Sequence, residues 1–294
     1  MIKNGVYAAS VSMLNNDKSL DIKSTINHAE SAIKNGLHGV FFFGSTGQSQ
    51  LLSISEKKDL ISKTAASKFK DQFYFGTGIN SLKDNLDLIR YCMEFNYQTF
   101  LIMPPAYYKG NSDKGVYNFY AEIIAQVPKI KIILYNFEKL SGYLFSSEAV
   151  KNLVNDFPKQ IIGCKDSSYN LFENLKIPNF KMFPGSEAKL LNGLELGCSG
   201  CISAITNVTH SLARKVFDDF EKKILQTMNE KVIQVRQTFD QYPLIPALHS
   251  FLSVEDKKYK NILPPLTLLD ENSKEELLKK LKELDFIPSK NIAA

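Results

Sequence analysis

Short apolar runs alternate with amphipathic helical segments along most of this chain, and this rhythm constrains the fold more than any other feature. Residues 39–43 (Gly-Val-Phe-Phe-Phe) are apolar at every position, as expected of a parallel strand that is buried on both faces. Residues 22–34 instead place Ile26, Ala29 and Ile33 on one stripe at helical spacing. The alternation predicts an α/β fold in which helices connect the strands.

Counting these units gives eight strands, the number in a (β/α)8 TIM barrel, and 294 residues suit one such barrel. From about residue 211 the chain is helical without a further strand, so this part should pack as extra helices. We predict a single domain over residues 1–294, with the barrel core at 1–210 and the last barrel helix plus a C-terminal helical extension at 211–294. The predicted strands are 6–11, 39–43, 73–77, 99–103, 131–136, 161–165, 182–183 and 201–203, and the helices between them are 22–34, 55–67, 81–95, 114–125, 146–155 and 187–196.

The charge and hydropathy patterns exclude two classes of partner. A formal net charge of +5 is modest, and the lysine-rich spots at 56–58 and 279–282 alternate with acidic or apolar residues, as solvated helix faces do. No apolar run approaches the roughly 20 residues of a membrane span, and residues 1–5 do not resemble a secretion signal. We expect neither a nucleic-acid partner nor a membrane partner.

The cysteines do not form a metal site or a disulfide framework. Cys198 and Cys201 have the spacing of a metal knuckle, but no second pair is present to complete four ligands. The four histidines are scattered and match no metal motif. We therefore expect buried, reduced cysteines, no metal and a cytoplasmic location.

One lysine stands at the end of a strand-like run. Residues 161–168 read Ile-Ile-Gly-Cys-Lys-Asp-Ser-Ser, so a buried strand would carry the Lys165 amine into a polar cavity. A buried ammonium is costly to desolvate, which favours the neutral, nucleophilic amine that imine chemistry requires. The alternative is an ordinary strand-end lysine whose amine extends to solvent.

Other chemically useful residues also fall at predicted strand ends, where the active site of this fold lies. Residues 44–47 (Gly-Ser-Thr-Gly) offer two hydroxyls and backbone N–H groups that suit a carboxylate, although turn chemistry alone favours a plain strand-to-helix turn. Tyr135 could move a proton, or it could be a core aromatic. Strands 7 and 8 lead to Gly185, Glu187 and Ser203.

These residues resemble the pyruvate-dependent class I aldolases of the dihydrodipicolinate synthase and N-acetylneuraminate lyase superfamily. The resemblance extends from Gly5 to the final helices. It depends most on residues 44–47, on Tyr135-Asn136 with Ser141-Gly142, and on Gly163-Cys164-Lys165-Asp166. The residues Gly185-Ser186-Glu187 and the segment from Gly197 to Asn207 add support.

The resemblance implies roles for individual residues. Lys165 would form the Schiff base with pyruvate, and Tyr135 would relay protons. Thr46 would link Tyr135 to Tyr107, a tyrosine that in this family usually enters a neighbouring subunit, which implies a homo-oligomer (dimer or tetramer). No cofactor is needed, because the protonated imine is the electron sink. The implied substrate-binding residues are Ser45, Thr46, Gly47, Leu140, Ser167, Gly185, Glu187 and Ser203.

Positions at which this chain differs from branches of the family indicate which aldehyde it would use. Leu140 stands where dihydrodipicolinate synthases usually carry an arginine for the aldehyde's carboxylate. Ser186-Glu187-Ala188 differs from the Tyr-Asp-Glu of sialic acid lyases. Gly185-Ser186-Glu187 is closer to the 2-keto-3-deoxy sugar acid aldolases, so cleavage of such an acid to pyruvate and an aldehyde is the favoured function. Dihydrodipicolinate synthase, N-acetylneuraminate lyase, a dehydratase or decarboxylase using the same imine, and a non-catalytic keto-acid-binding barrel remain alternatives.

Overall fold

All eight predicted strands are present in the computed structural model, which describes residues 2–287. They form one parallel sheet in the order β7-β6-β5-β4-β3-β2-β1-β8. The Ser199 N–H, just before the last strand, donates to the Met182 carbonyl at 2.8 Å and joins the two sheet edges. The predicted (β/α)8 barrel is therefore confirmed. The strands are β1 (Gly5–Ala9), β2 (Gly39–Phe42), β3 (Phe73–Gly76), β4 (Thr99–Ile102), β5 (Lys131–Asn136), β6 (Ile161–Asp166), β7 (Lys181–Pro184) and β8 (Gly200–Ser203).

Six of the eleven helices in the described residues begin at a serine or aspartate cap that the periodicity alone did not define. The Ser53 hydroxyl accepts a hydrogen bond from the Glu56 N–H, and the Glu56 carboxylate accepts one from the Ser53 N–H, so a capping box begins the second helix. The segment after β7 starts as a 3₁₀ turn at Glu187–Lys189, before its short helix. The helices are α1 (Ile22–Lys34), α2 (Ile54–Thr64), α3 (Leu82–Glu94), α4 (Asp113–Gln126), α5 (Glu138–Ser141), α6 (Ser147–Asp156), α7 (Leu190–Glu195), α8 (Thr206–Glu221), α9 (Asn229–Phe239), α10 (Leu244–Leu252) and α11 (Glu271–Glu283).

The barrel interior is packed with large side chains at its amino end. Tyr7 and Phe183 meet edge to face at 5.8 Å between ring centroids, and Phe41 stacks on Tyr74 at 5.0 Å. This aromatic layer fills the barrel below the carboxyl ends of the strands. Reacting groups can therefore meet only above it, at those carboxyl ends. The interior cluster comprises Ile2, Tyr7, Phe41, Leu101, Ile133, Tyr135, Phe183 and Ile202.

The C-terminal helices form a second core and return the chain to the strand ends. Phe239, Phe251 and Leu281 are fully buried within it. The Leu263 N–H donates to the Gln48 side-chain oxygen at 2.7 Å, so the segment between α10 and α11 is tied to the loop after β2. The predicted boundary between the barrel core and the C-terminal extension, at residue 210, falls inside helix α8.

The described residues also bear on the cysteines and on membrane crossing. Cys92, Cys164, Cys198 and Cys201 are buried with free thiols. Burial raises the pKa of the Cys198 thiol to about 11. Within residues 2–287, no helix has the length and apolar character to cross a bilayer.

Candidate active site

Lys165 and Tyr135 lie side by side on the inner wall of the barrel. They are directly paired across β5 and β6, and paired residues of parallel strands face the same side of the sheet. The Lys165 Nζ atom lies 4.3 Å from the centroid of the Tyr135 ring. Both side chains are buried, with 4% and 5% of their surface exposed. The alternative of a solvent-reaching lysine is therefore not what the structure shows.

The hydroxyl next to Tyr135 belongs to Ser45. The Ser45 Oγ atom lies 3.0 Å from the Tyr135 Oη atom. The resemblance had assigned this link to Thr46, but among the described residues no hydrogen bond joins Thr46 to Tyr135. Ser45 begins a 3₁₀ turn, and successive residues of such a turn are rotated by about 120°, so the two neighbouring hydroxyls cannot point the same way. Within the single described chain the contact with the Tyr135 hydroxyl is therefore made by Ser45, and a catalytic role of Thr46 stays a prediction.

The loop that carries Ser45 has an unusual backbone. Phe43 and Gln48 adopt left-handed conformations, with φ of 59° and 55°, on either side of the turn. Ser12 donates a hydrogen bond to the Gly47 carbonyl at 2.7 Å. A Cβ atom on Gly47 would lie only 2.8 Å from the Ser10 carbonyl oxygen, so glycine is required for this approach. Strained backbone of this kind concentrates at functional sites.

Leu140 faces a cavity of about 290 Å³ whose walls include Ser45 and the Tyr135 ring. A larger cavity of about 450 Å³ is lined by Phe73 and Lys131, which begin β3 and β5. That cavity lies at the amino end of the barrel, on the opposite side of the aromatic layer from the Lys165 amine. The smaller cavity instead reaches Tyr135 and Ser45 at the carboxyl ends of the strands and is the candidate site, with Lys165 behind its wall and not among the residues that line it.

The loops after β6 and β7 are held closely against each other. A Cβ atom on Gly185 would lie 2.1 Å from the Ser167 Oγ atom. The buried Asp166 carboxylate accepts hydrogen bonds from the Asn136 side chain and from the Leu171 N–H, both at 2.8 Å. Asp166 thereby orders the loop that follows Lys165. The sequence pattern contained Asn136 and Asp166 as neighbours of the reacting residues, but it did not show that they bind each other.

Glu187 and Ser203 belong to a separate buried network. Ser203 donates a hydrogen bond to Glu187, and the Arg236 guanidinium contacts the Glu187 carboxylate at 3.2 Å and the Ser203 hydroxyl at 3.0 Å. Burial alone would lower the pKa of Arg236, but Glu187 and Asp240 outweigh it and raise that pKa above its ordinary value. The structure thus joins these two predicted residues to each other, but neither lines the cavity beside Tyr135.

Arg236, which holds this network together, is a buried residue that the sequence reasoning missed. It lies on the buried face of α9 with Val232, Val235 and Phe239, at helical spacing. An arginine on an otherwise apolar stripe is unusual and requires a buried partner. That signal was present in the sequence, although it did not identify Glu187 as the partner.

Tyr107 does not reach the cavity of its own chain. Its side chain is 80% exposed, its φ is 84°, and its ring contacts that of Tyr108 at 5.4 Å between centroids. The predicted link from Tyr135 to Tyr107 is therefore absent within the single described chain.

The comparison with known families decides the relationship. The model of the dihydrodipicolinate synthetase family matches residues 3–284. The chain belongs to this family. Membership confirms the resemblance inferred from the sequence, and it confirms that the protein is a lyase.

Curated relatives of this dihydrodipicolinate synthetase family member carry different names. A Chloroflexus aurantiacus protein, named as an uncharacterized DapA-like lyase, is 28% identical over 64% of each chain. A Picrophilus torridus 2-dehydro-3-deoxy-D-gluconate/2-dehydro-3-deoxy-phosphogluconate aldolase is 26% identical over 77% of this chain and 86% of its own. A Hydrogenobaculum 4-hydroxy-tetrahydrodipicolinate synthase is 29% identical over 88% and 91%.

Solved structures agree on the fold of this family member. The crystal structure of dihydrodipicolinate synthase from Agrobacterium tumefaciens superposes with a TM-score of 0.87, and the match covers 96% of this chain and 99% of that one. The two sequences are 23% identical, so this likeness concerns the fold alone.

Proposed function

We propose that this protein is a Schiff-base-forming class I aldolase that cleaves or forms a 2-keto-3-deoxy acid, with pyruvate and an aldehyde as the other reactants. The observation that carries the proposal is the buried Lys165 amine, 4.3 Å from the ring of Tyr135, whose hydroxyl contacts Ser45. An amine nucleophile with a hydroxyl relay beside it is the arrangement that imine formation needs.

The bond changes in the cleavage direction balance without a further reactant. The Lys165 amine adds to the C2 ketone, and loss of one water gives a protonated imine. The C4 hydroxyl gives up its proton as the bond between C3 and C4 breaks, which releases the aldehyde and leaves an enamine. The enamine takes up a proton at C3, and one water hydrolyses the imine to pyruvate and the free amine.

Tyr135 and the turn after β2 would take part in these reaction steps. The Tyr135 hydroxyl would move protons at the C2 and C4 oxygens, since it lies beside both the amine and the cavity. Ser45 would orient that hydroxyl, and the Thr46 hydroxyl would bind the carboxylate of the keto acid. Gly47 and Gly185 would shape the loops around the site, because without a side chain Gly47 can pack against Ser10 and Gly185 against Ser167.

The sequence favours a sugar acid as substrate, and one relative named as a 2-dehydro-3-deoxy-gluconate aldolase supports testing that class first. A relative is also named as a 4-hydroxy-tetrahydrodipicolinate synthase. Leu140 argues against that reaction here, because it cannot pair with the carboxylate of an amino-acid semialdehyde. Lys139 beside it is exposed and does not line the cavity.

We also propose that the active protein is a homo-oligomer located in the cytoplasm. Tyr107 combines 80% exposure with a left-handed backbone, a conformation that bulky residues adopt only when the surroundings impose it. A neighbouring copy that receives this side chain would supply such surroundings and would bring a second hydroxyl towards Tyr135.

The test is pyruvate release from a panel of 4-hydroxy-2-keto acids that begins with 2-keto-3-deoxygluconate. Lys165→Met should abolish release while the circular dichroism spectrum stays unchanged. Lys159→Met, which alters an exposed lysine near the amino end of β6, is the matched control and should retain full activity. Turnover by Lys165→Met would refute the proposed function.

A further inference from the structure

Gln48 is the joint between the two short turns that follow β2. The first 3₁₀ turn, Ser45–Gly47, ends at Gln48, and a second one, Ser49–Leu51, begins directly after it. The backbone of Gln48 is left-handed, with φ of 55° and ψ of 31°, and its N–H donates to the Ser45 carbonyl at 3.0 Å. Residues with a Cβ atom rarely adopt this conformation unless their surroundings impose it. The placement of Ser45 therefore depends on what holds Gln48.

The side chain of Gln48 is held by a single hydrogen bond from the C-terminal part of the chain. Its Oε1 atom accepts from the Leu263 N–H at 2.7 Å, and because a backbone N–H can only donate, the orientation of the amide is fixed. The side chain is 3% exposed, and its Nε2 atom is buried with no partner among the described residues. The contact with Leu263 is therefore the hydrogen bond that fixes this side chain.

Leu263 lies in a segment, residues 261–269, that is anchored on both sides of it. The Asn261 side chain donates to a carbonyl of the loop after β1 at 3.1 Å. The Leu269 N–H donates to the Ser250 hydroxyl of α10 at 3.1 Å. With an anchor before and after it, the Leu263 N–H is a fixed support for the loop after β2.

We propose that Gln48 is a positioning residue for the proton relay, which joins the C-terminal extension to Ser45 and so fixes the Ser45 hydroxyl against Tyr135. Three contacts in series make the connection: Leu263 N–H to the Gln48 side chain, Gln48 N–H to the Ser45 carbonyl, and Ser45 Oγ to Tyr135 Oη. All three lie within one chain, so they hold whatever ligand or neighbouring side chain enters the cavity. The role rests on the proposed Schiff-base function, because it requires that Tyr135 moves protons.

The experiment measures exchange of the pyruvate C3 protons for deuterium at saturating pyruvate. Gln48→Met removes the hydrogen bond to Leu263 with little change in size, and it should slow exchange about 5-fold, the factor that corresponds to one neutral hydrogen bond. Because Gln48 acts through Ser45 on Tyr135, the same substitution should have almost no effect in Tyr135→Phe protein. A contribution to folding alone would slow both proteins by the same factor.

Two further variants separate positioning from a general loss of packing. Gln226→Met is the matched control, because Gln226 also has one hydrogen bond, to the Val216 carbonyl at 3.1 Å, and one buried amide atom without a described partner, but does not line the cavity. It should exchange at the wild-type rate. Gln48→Glu keeps an oxygen that accepts from the Leu263 N–H, and burial favours the neutral form of the new carboxyl group. At about pH 5 this variant should therefore exchange at close to the wild-type rate measured at the same pH.

Trapping the imine separates this role from the proposed function. If borohydride links pyruvate to Lys165 but Gln48→Met slows exchange equally with and without the Tyr135 hydroxyl, or not at all, the positioning role is refuted while the Schiff-base function stands. The same conclusion follows if Gln226→Met is as slow as Gln48→Met, or if Gln48→Glu remains as slow at the lower pH. If pyruvate forms no adduct with the folded protein, both proposals fall.

Discussion

The hydrogen bond between Ser45 and Tyr135 predicts a specific non-additivity between two substitutions. Ser45→Ala removes a neutral hydrogen bond of 3.0 Å, which is worth about 1 kcal/mol or roughly a 5-fold change in rate. Tyr135→Phe removes the proton relay itself and should slow the reaction by about 10²- to 10⁴-fold. Because Ser45 is expected to act through Tyr135, Ser45→Ala should have almost no further effect once the tyrosine hydroxyl is gone.

The assay is exchange of the pyruvate C3 protons for deuterium, followed by nuclear magnetic resonance. Exchange requires the imine and enamine but no aldehyde, so the identity of the second substrate does not matter. Four proteins complete the cycle: the wild type, the two single variants and the double variant. A coupling of about 1 kcal/mol between the two substitutions is expected.

Thr46→Val is the comparison that separates orientation of Tyr135 from carboxylate binding. Thr46 is buried and forms no hydrogen bond with Tyr135 in the described part of the chain, so its loss should raise the KM for pyruvate by the same factor in both tyrosine backgrounds. Equal effects of Ser45→Ala in the presence and absence of the Tyr135 hydroxyl would refute the reasoning. Coupling of Thr46→Val to Tyr135→Phe would do so as well.

Three further predictions test other parts of the structure. Leu140→Arg should increase kcat/KM for aspartate semialdehyde, and no change would mean that this position does not contact the aldehyde. Burial lowers the pKa of Lys57 to about 8, so folding releases its proton between about pH 8 and 10.5. The free energy of unfolding should therefore rise by about 3 kcal/mol over that range relative to Lys57→Met, and a constant difference would contradict this. Arg236→Met should cost about 3–5 kcal/mol in urea unfolding because it removes the guanidinium that pairs with the buried Glu187 side chain, and adding Glu187→Gln should recover much of it; a double variant no more stable than the single one would refute the pairing.

The barrel could be predicted from the sequence because its signals are local. The apolar run at residues 39–43 predicts a strand and the apolar stripe at 22–34 predicts a helix, each without information from the rest of the chain. Eight such strand and helix units predict a closed barrel. Strand and helix ends were displaced by a few residues where capping decides them. The 3₁₀ turn at Glu187–Lys189 was missed for the same reason.

The site could be predicted only where it depends on strand register. Tyr135 and Lys165 are each the last residue but one of a strand and are paired in register, so the fold itself brings them together. The choice of Ser45 over Thr46 depends on the rotation of one turn, which the residue types do not reveal. The contact of Arg236 with Glu187 joins α9 to the loop after β7, and only the packing of the C-terminal helices defines it.

The central claim is that Lys165 forms an imine with a keto acid, and intact-protein mass after borohydride reduction with pyruvate tests it most directly. A single adduct that maps to Lys165, and that is absent from Lys165→Met, is the predicted result. Lys57 provides an internal comparison, because it is equally buried and its pKa is lowered to about 8. An adduct on Lys57, or none on the folded protein, would contradict the account.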